Sequence, residues 1–384
     1  MTAHAGAPSQ HPHTAEAVGE IVGHVLEATD ESPDLAILLS SPHHRAALGD
    51  AAAAVRELLR PGLLLGATAG AVLAGAAGTD GGPGLALFTA RLPAPPRPVR
   101  LTARRTPGGL AVQGLTADLA GAHGTLLLCA DGSLPVEGIL EGLAATGTDL
   151  TVVGGLASAG ADPGDNVLLL DDELVTDGGV GALLPPGALA ATVVVPGCRP
   201  IGDPMIVTAA EGSTLVRLAG RPALDRVDEL VAATPPDERP QLARGLHIGI
   251  ALDEHRATFG PGDFLVRDLV GADPGRRALV VGEAVPVGTT VQFQLRDPAS
   301  ADEQLRAALA GIEGAGALVF TGADRDRPAG GLPGHDARTV SEALGTRAVA
   351  GMFSAGEIGP VGRRSHLHAS TASVAVFRDP GDSR

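Results

Sequence analysis

Lysine is absent from the 384 residues, so all 28 basic side chains are arginine. A P-loop needs a lysine to reach its phosphates, and pyridoxal and Schiff-base chemistry need a lysine amine; both classes are excluded. Tryptophan and tyrosine are absent too, and phenylalanine occurs only 7 times. Single-stranded nucleic acids stack on aromatic side chains, and a formal net charge of −16 repels phosphate backbones and anionic lipid surfaces. Neither nucleic acid nor membrane is an expected partner. Two cysteines, Cys129 and Cys198, cannot build a disulfide framework or a thiolate metal site. The opening residues lack a basic segment leading into an apolar run, so no signal peptide is expected. Gly62 to Gly78 carries no charge over 17 residues, but Gly66, Gly70, Gly75 and Gly78 interrupt it. A buried strand and a glycine loop account for it better than a membrane span. These exclusions leave a cytoplasmic protein as the expectation.

What is present is core-forming material and turns: 44% hydrophobic residues, 54 glycines and 30 prolines. Residues 1–14 read as a flexible tail in which His4, His11 and His13 are solvated. A pattern then recurs three times. Leu35 to Ser40 reads as a strand, Leu48, Ala51, Ala52, Val55, Leu58 and Leu59 mark one face of a helix, and "GLLLGATAG" is a second apolar run ending in glycine. Thr125 to Ala130, the helix from Pro135 and "DLTVVGGLASAG" repeat the order, as do Ala317 to Phe320, the helix around Val340 and "RAVAGMFSAGEIG". Each unit is trailed by a further strand-like stretch: "GLALFTARL", "NVLLLDDELV" and "ASVAVF". Continuous apolar runs are the signature of parallel strands buried on both faces. The spacing predicts that each strand pair is parallel, with a right-handed crossover. The expected class is α/β (mixed α+β): two domains with mixed sheets, built around repeated β-α-β-loop-β units. Residues 15–231 form the first domain, 232–245 a charged, proline-rich linker, 246–378 the second domain and 379–384 a tail.

Three strings carry a resemblance. "CRPIGDPMIVT" (Cys198 to Thr208), "FLVRDLVG" (Phe264 to Gly271), and "GMFSAGEIGPVG" with "LHASTAS" (Gly351 to Gly362, Leu367 to Ser373) resemble the FIST family, in order, through an N-terminal and a C-terminal FIST domain. The resemblance implies a sensory module that binds a small ligand, with amino acids proposed. Members are often fused to signalling domains; this chain looks like a stand-alone version that would signal through a separate protein. Members often carry a cysteine in the first glycine loop, where Ala67 stands here, and a cysteine with an Arg-Gly pair after a strand of the C-terminal domain. Here that stretch is "FTGADRDR", with Gly322 and Arg325-Asp326.

The glycine loops are where a ligand can approach the backbone closely, so the candidate ligand residues are Gly66, Thr68, Gly154 and Ser158. To these the resembling strings add Cys198, Arg199, Arg267, Glu357, His368 and Thr371. Cys198 reads as a thiolate beside Arg199 or as a small buried residue in a turn. Arg199 suits a ligand carboxylate and Glu357 a ligand ammonium, so the two are expected to face one cavity. Ser158 and Ser354 sit in elbow-like strings, but Leu156 and Met352 stand where a nucleophile elbow needs glycine. His43 and His44 are adjacent and would point apart on an extended chain. No cofactor, metal or catalytic residue is assigned. Two alternatives stay open: an enzyme using Cys198 or a Glu357/His368 pair, and an interaction scaffold.

Overall fold

A computed structural model describes residues 2–381 except 76, 80, 108, 117, 118, 120, 163, 237, 238, 240, 241, 243, 244, 257, 261 and 327–333. The chain separates into two compact units: residues 1–194 with 305–384, and residues 195–304 between them in sequence. The linker expected at 232–245 falls inside the smaller unit, and much of it lies outside the described residues.

In chain order the larger unit opens with β1 (His4–Ser9), a helix (Thr14–Ala28), β2 (Leu35–Ser40), a helix (Leu48–Leu59), β3 (Leu63–Thr68), a hairpin of β4 (Val72–Ala74) and β5 (Ala77–Gly78), and β6 (Leu85–Ala90). The second passage runs β7 (Arg97–Thr106), β8 (Gly109–Gln113), β9 (Gly124–Ala130), a helix (Val136–Ala145), β10 (Leu150–Leu156), a hairpin of β11 (Leu168–Leu170) and β12 (Glu173–Val175), and β13 (Gly179–Leu184). The third begins with β14 (Leu189–Val195). The smaller unit follows, with β15 (Cys198–Glu211), β16 (Thr214–Leu218), β17 (Arg221–Pro222), a helix (Ala223–Ala233), β18 (Leu246–Ala251), β19 (Phe264–Asp273), β20 (Ala278–Val281) and β21 (Thr290–Arg296). After a helix (Pro298–Leu309) the third passage resumes: β22 (Gly316–Gly322), helices (Ala323–Asp326 and His335–Leu344), β23 (Val349–Ser354), a hairpin of β24 (Glu357–Val361) and β25 (Arg364–His368), and β26 (Ala372–Phe377).

The three strand–helix–strand pairs are parallel as expected: β2 with β3, β9 with β10, β22 with β23. A third strand flanks each pair antiparallel: β6 beside β2, β13 beside β9, β26 beside β22. For the second passage this corrects the trailing strand. "NVLLLDDELV" forms the β11–β12 hairpin instead, turning at Asp171 with φ of 54°. The hairpins explain why. Each leaves its own sheet and pairs with another: β11 with β3, β24 with β10, β4 with β23. Passage two thus completes the sheet of passage one, three completes two, and one completes three. The exchange is cyclic, so no passage closes its sheet alone.

Alternation along each strand sorts the apolar side chains. Leu35, Ile37 and Leu39 join Cys129, Val153, Phe320, Met352 and Phe377 in one core shared by all three sheets. Ala36 and Leu38 face the opposite way, under the helices Thr14–Ala28 and Leu48–Leu59. The second sheet's outer face is covered by the helix Val136–Ala145. The expected tail at 1–14 is corrected by β1, which pairs antiparallel with β6 from His4↔Ala90 to Ser9↔Leu85. Its short side chains allow this: at Gly6 a Cβ would lie 2.5 Å from the Val349 carbonyl oxygen.

The smaller unit is antiparallel throughout. β15 pairs with both β21 and β16, which closes the order β15–β21–β18–β19–β20–β16 into a ring around Ile248, Val291, Phe293 and Val207. Among the described residues no helix is long and apolar enough to cross a membrane; Gly62 to Gly78 becomes β3 and the β4–β5 hairpin.

Candidate functional site

The repetition makes one set of positions stand out. Val72, Leu168 and Glu357 each open an exchanged strand, opposite Met352, Ala67 and Gly155 respectively. Val72 and Leu168 are members of the shared core. Glu357 takes the same place, 1% exposed. Two residues beyond their partners in the receiving strands, Ala69 and Ala157 also belong to that core, whereas the third passage has Ser354. The third passage therefore puts a carboxyl and a hydroxyl where its sisters put hydrocarbon.

Thr371 positions Glu357 with two hydrogen bonds to Oε2, from its amide at 2.9 Å and its hydroxyl at 3.0 Å. Oε1 has no hydrogen-bond partner among the described residues, and neither has the buried Ser354 Oγ. Burial pushes the Glu357 carboxyl up to about 8, against the pull of the Thr371 bonds and the Arg325 charge. Two glycines pack closely against these atoms. A Cβ on Gly155 would lie 2.3 Å from Ser354 Oγ, and a Cβ on Gly322 would lie 3.5 Å from Glu357 Oε1. Ser370, held at φ of 57°, brings Thr371 round so that its carbonyl accepts from the Gly322 amide at 3.2 Å. Close by in sequence, Thr321 Oγ1 donates to Asp336 at 2.6 Å and Arg325 Nε at 3.1 Å, an ion pair buried on both sides.

Of the expected ligand residues, Glu357, Thr371 and His368 come together. His368 stands opposite Glu357 on β25, and its Nε2–H donates to the Gly359 carbonyl at 3.1 Å. Thr68 and Ser158 lie together elsewhere in the larger unit, as ties between passages. Ser158 Oγ accepts from the Gly70 amide at 3.0 Å and donates to the Phe353 carbonyl, and Thr68 Oγ1 accepts from the Val167 amide at 2.8 Å. Gly66 and Gly154 are close-approach positions: a Cβ would come within 2.5 Å of the Leu38 carbonyl oxygen and 1.8 Å of that of Leu128. Cys198, Arg199 and Arg267 belong to the smaller unit. Cys198 is buried, 3% exposed, and its carbonyl accepts from Gln304 at 3.0 Å. Arg199 pairs with Asp297 at 3.6 Å, and Arg267 with Glu283. Sequence reasoning passed over Gly155 and Asp336, named Gly322 only as a departure from the family's pattern, and weighed Ser354 only as an elbow-like serine. Ser354 had a signal, since aligning the three glycine loops sets it against Ala69 and Ala157.

The smaller unit has a cleft of its own, about 410 Å³, between the helix Ala223–Ala233 and the ring. Met205, Leu230 and Phe293 line it, with Arg226 and Glu229 paired at 2.9 Å beside them. It opens where β15 bulges against β21 between Ile201 and Met205.

Comparison with known proteins matches two family models, whose boundary near residue 222 falls inside the smaller unit. The FIST N domain matches residues 34–221 and the FIST C domain residues 223–360. An uncharacterized protein of Mycobacterium tuberculosis is 42% identical over 379 residues, covering 97% of this chain and 98% of that protein. An uncharacterized protein of Mycobacterium bovis is 41% identical over 378 residues, covering 96% and 97%.

Proposed function

The chain belongs to the FIST family, whose domains are in general sensory, ligand-binding signalling domains, and from that premise we propose that it senses a small amine-bearing metabolite, an amino acid or a close relative, at Glu357. One observation carries the reading. Glu357 Oε1 and Ser354 Oγ, both beside Gly155, are buried polar atoms without hydrogen-bond partners among the described residues. Buried polar groups are almost always paired, and leaving one unpaired costs about 1–3 kcal/mol. A ligand ammonium supplies the missing donors and turns a destabilising pair into a binding site. Thr371 fixes Oε2, so Oε1 is the oxygen left for the ligand. The bound state is relayed to a separate signalling protein in the cytoplasm.

The test is a thermal-shift screen of the amino acids and common small amines against wild type and Glu357→Gln. A ligand that raises the wild-type midpoint should bind the variant more than tenfold more weakly, since a buried charged contact is worth about 2–5 kcal/mol. Equal shifts in the two proteins would remove Glu357 from the site.

A second reading rests on the cleft of the smaller unit, whose 410 Å³ falls in the ligand-pocket range of about 300–1,000 Å³. If Phe293→Ala abolishes the shift and Glu357→Gln leaves it intact, the ligand belongs there.

A further inference from the structure

Among the described residues the larger unit leaves two strand edges open that carry opposite charge. β8 ends the seven-stranded sheet whose other side holds Glu357 on β24. β7 pairs with β13 only from Arg97 to Leu101; from Thr102 to Thr106 its partner is β8, so the two run on as a ribbon. Edge strands are ordinarily blunted by proline, a bulge or charge. β8, Gly109–Gln113, has none of these, and Leu110 stands 50% exposed. Residues 97–116 include four arginines and no acid. Of these, Arg104 and Arg105 are exposed, and neither side chain makes an ion pair or hydrogen bond among the described residues. β12 ends a different sheet and pairs only with β11. Residues 171–177 include four acids and no base. Leu174 is 45% exposed, and Glu173 is exposed with no ion pair among the described residues.

The two patches adjoin. Arg100 on β7 donates to Asp177, two residues beyond β12, at 2.5 Å. Their side chains also match in register. Arg104 stands opposite Ala111 on β8, and Arg105 opposite Leu110. Laid antiparallel with Leu110 beside Leu174 of a second copy, β8 sets Ala111 beside Glu173 of that copy. Paired strands are about 4.8 Å apart, and Ala111 is short, so the Arg104 guanidinium reaches across it to the carboxylate. On the opposite face Leu110 covers Leu174, and each loses its exposure.

We propose that the larger unit pairs with a second copy of this chain, β8 of each joining β12 of the other about a two-fold axis. Adjoining, self-complementary patches make both contacts at once, the isologous arrangement. Charge selects the occupant, since the four arginines of 97–116 face the four acids of 171–177. The net charge of −16 opposes approach from afar, but screening limits a charge's reach to about 10 Å at 0.1 M salt, so the facing patches prevail. Strands of five and three residues make a small contact, and interfaces below about 1,200 Å² are the weak, transient ones. The dimer therefore dissociates on dilution.

The experiment is sedimentation velocity on the full chain at pH 7.5. Wild type at about 100 μM should run as a dimer in about 0.1 M salt and as a monomer in about 1 M salt, where the screening length falls to about 3 Å. Arg104→Glu and Glu173→Arg should each weaken association by at least about tenfold, because each sets like charges face to face. A chain with both substitutions restores opposite charges at the same place and should dimerise again. Both positions are exposed, so all three variants should fold, and circular dichroism checks this. A monomeric wild type, a dimer indifferent to either substitution, or a double variant as weak as the singles overturns the proposal. A monomer that instead binds a polyglutamate peptide through Arg104 would assign the ribbon to a foreign acidic partner and overturn it equally.

Discussion

Glu357 carries the chemical argument at the scale of single residues, and its titration gives the argument a measurable sign. In the unfolded chain the carboxyl ionises near its ordinary 4.5, and in the fold at about 8. Between those values the folded state holds a proton that the unfolded state has released, so this group's contribution to stability falls as pH rises through the window. Each unit of separation is worth about 1.4 kcal/mol, so the contribution lost is of the order of a few kcal/mol. The stability of wild type minus that of Glu357→Gln, from urea unfolding, should therefore decline between pH 5 and pH 8; a flat or rising difference would contradict the buried-carboxyl account. Ser354→Ala should be neutral or stabilising by up to about 1 kcal/mol, because it removes an unpartnered hydroxyl and restores the alanine of the sister passages. Gly155→Ala should destabilise by about 1–3 kcal/mol, since its Cβ has nowhere to go beside Ser354.

Among the elements, the one the sequence hid best is β1. Its residues, His4–Ser9, include glycine, proline and two alanines and lack a β-branched or large apolar side chain, so no periodicity marks a strand. What fixes it is tertiary: a full antiparallel ladder to β6 and a close approach to β23 that small residues alone permit. Deleting residues 1–13 should lower the thermal midpoint by several degrees and promote association through the bared β6 edge; an unchanged midpoint in a monomeric deletion variant would return the segment to the status of a tail. The three parallel pairs were legible for the opposite reason. Leu35–Ser40, Gly124–Ala130 and Gly316–Gly322 are buried along most or all of their length, and such runs read directly as parallel strands. The exchange of hairpins was not legible, because β4, β11 and β24 are three to five residues long and carry no mark of the sheet they join. The candidate site was half legible for that reason. Glu357 could be singled out by its string, but its meaning depends on standing where Val72 and Leu168 stand, which requires the exchange to be known.

For the whole molecule, the smaller unit reads as an insertion into the third passage. Its two ends are tied together, with Asp297 N–H donating to Gly197 and Gln304 to Cys198. Replacing residues 196–303 by a short Gly-Ser loop should therefore leave a larger unit that melts cooperatively; a molten product would show that the three passages need the insert to fold. The central claim concerns what the intact protein does with its buried carboxyl. It is tested most directly by isothermal titration of the amine selected in the thermal-shift screen, run at pH 7 in two buffers of different ionisation enthalpy. A ligand ammonium seated on Glu357 must displace the proton that burial retains there. Wild type should release close to one proton per ligand bound and bind more tightly as pH rises toward 8, while Glu357→Gln binds more than tenfold more weakly and releases none. The same affinity and the same proton count in both proteins would contradict the account.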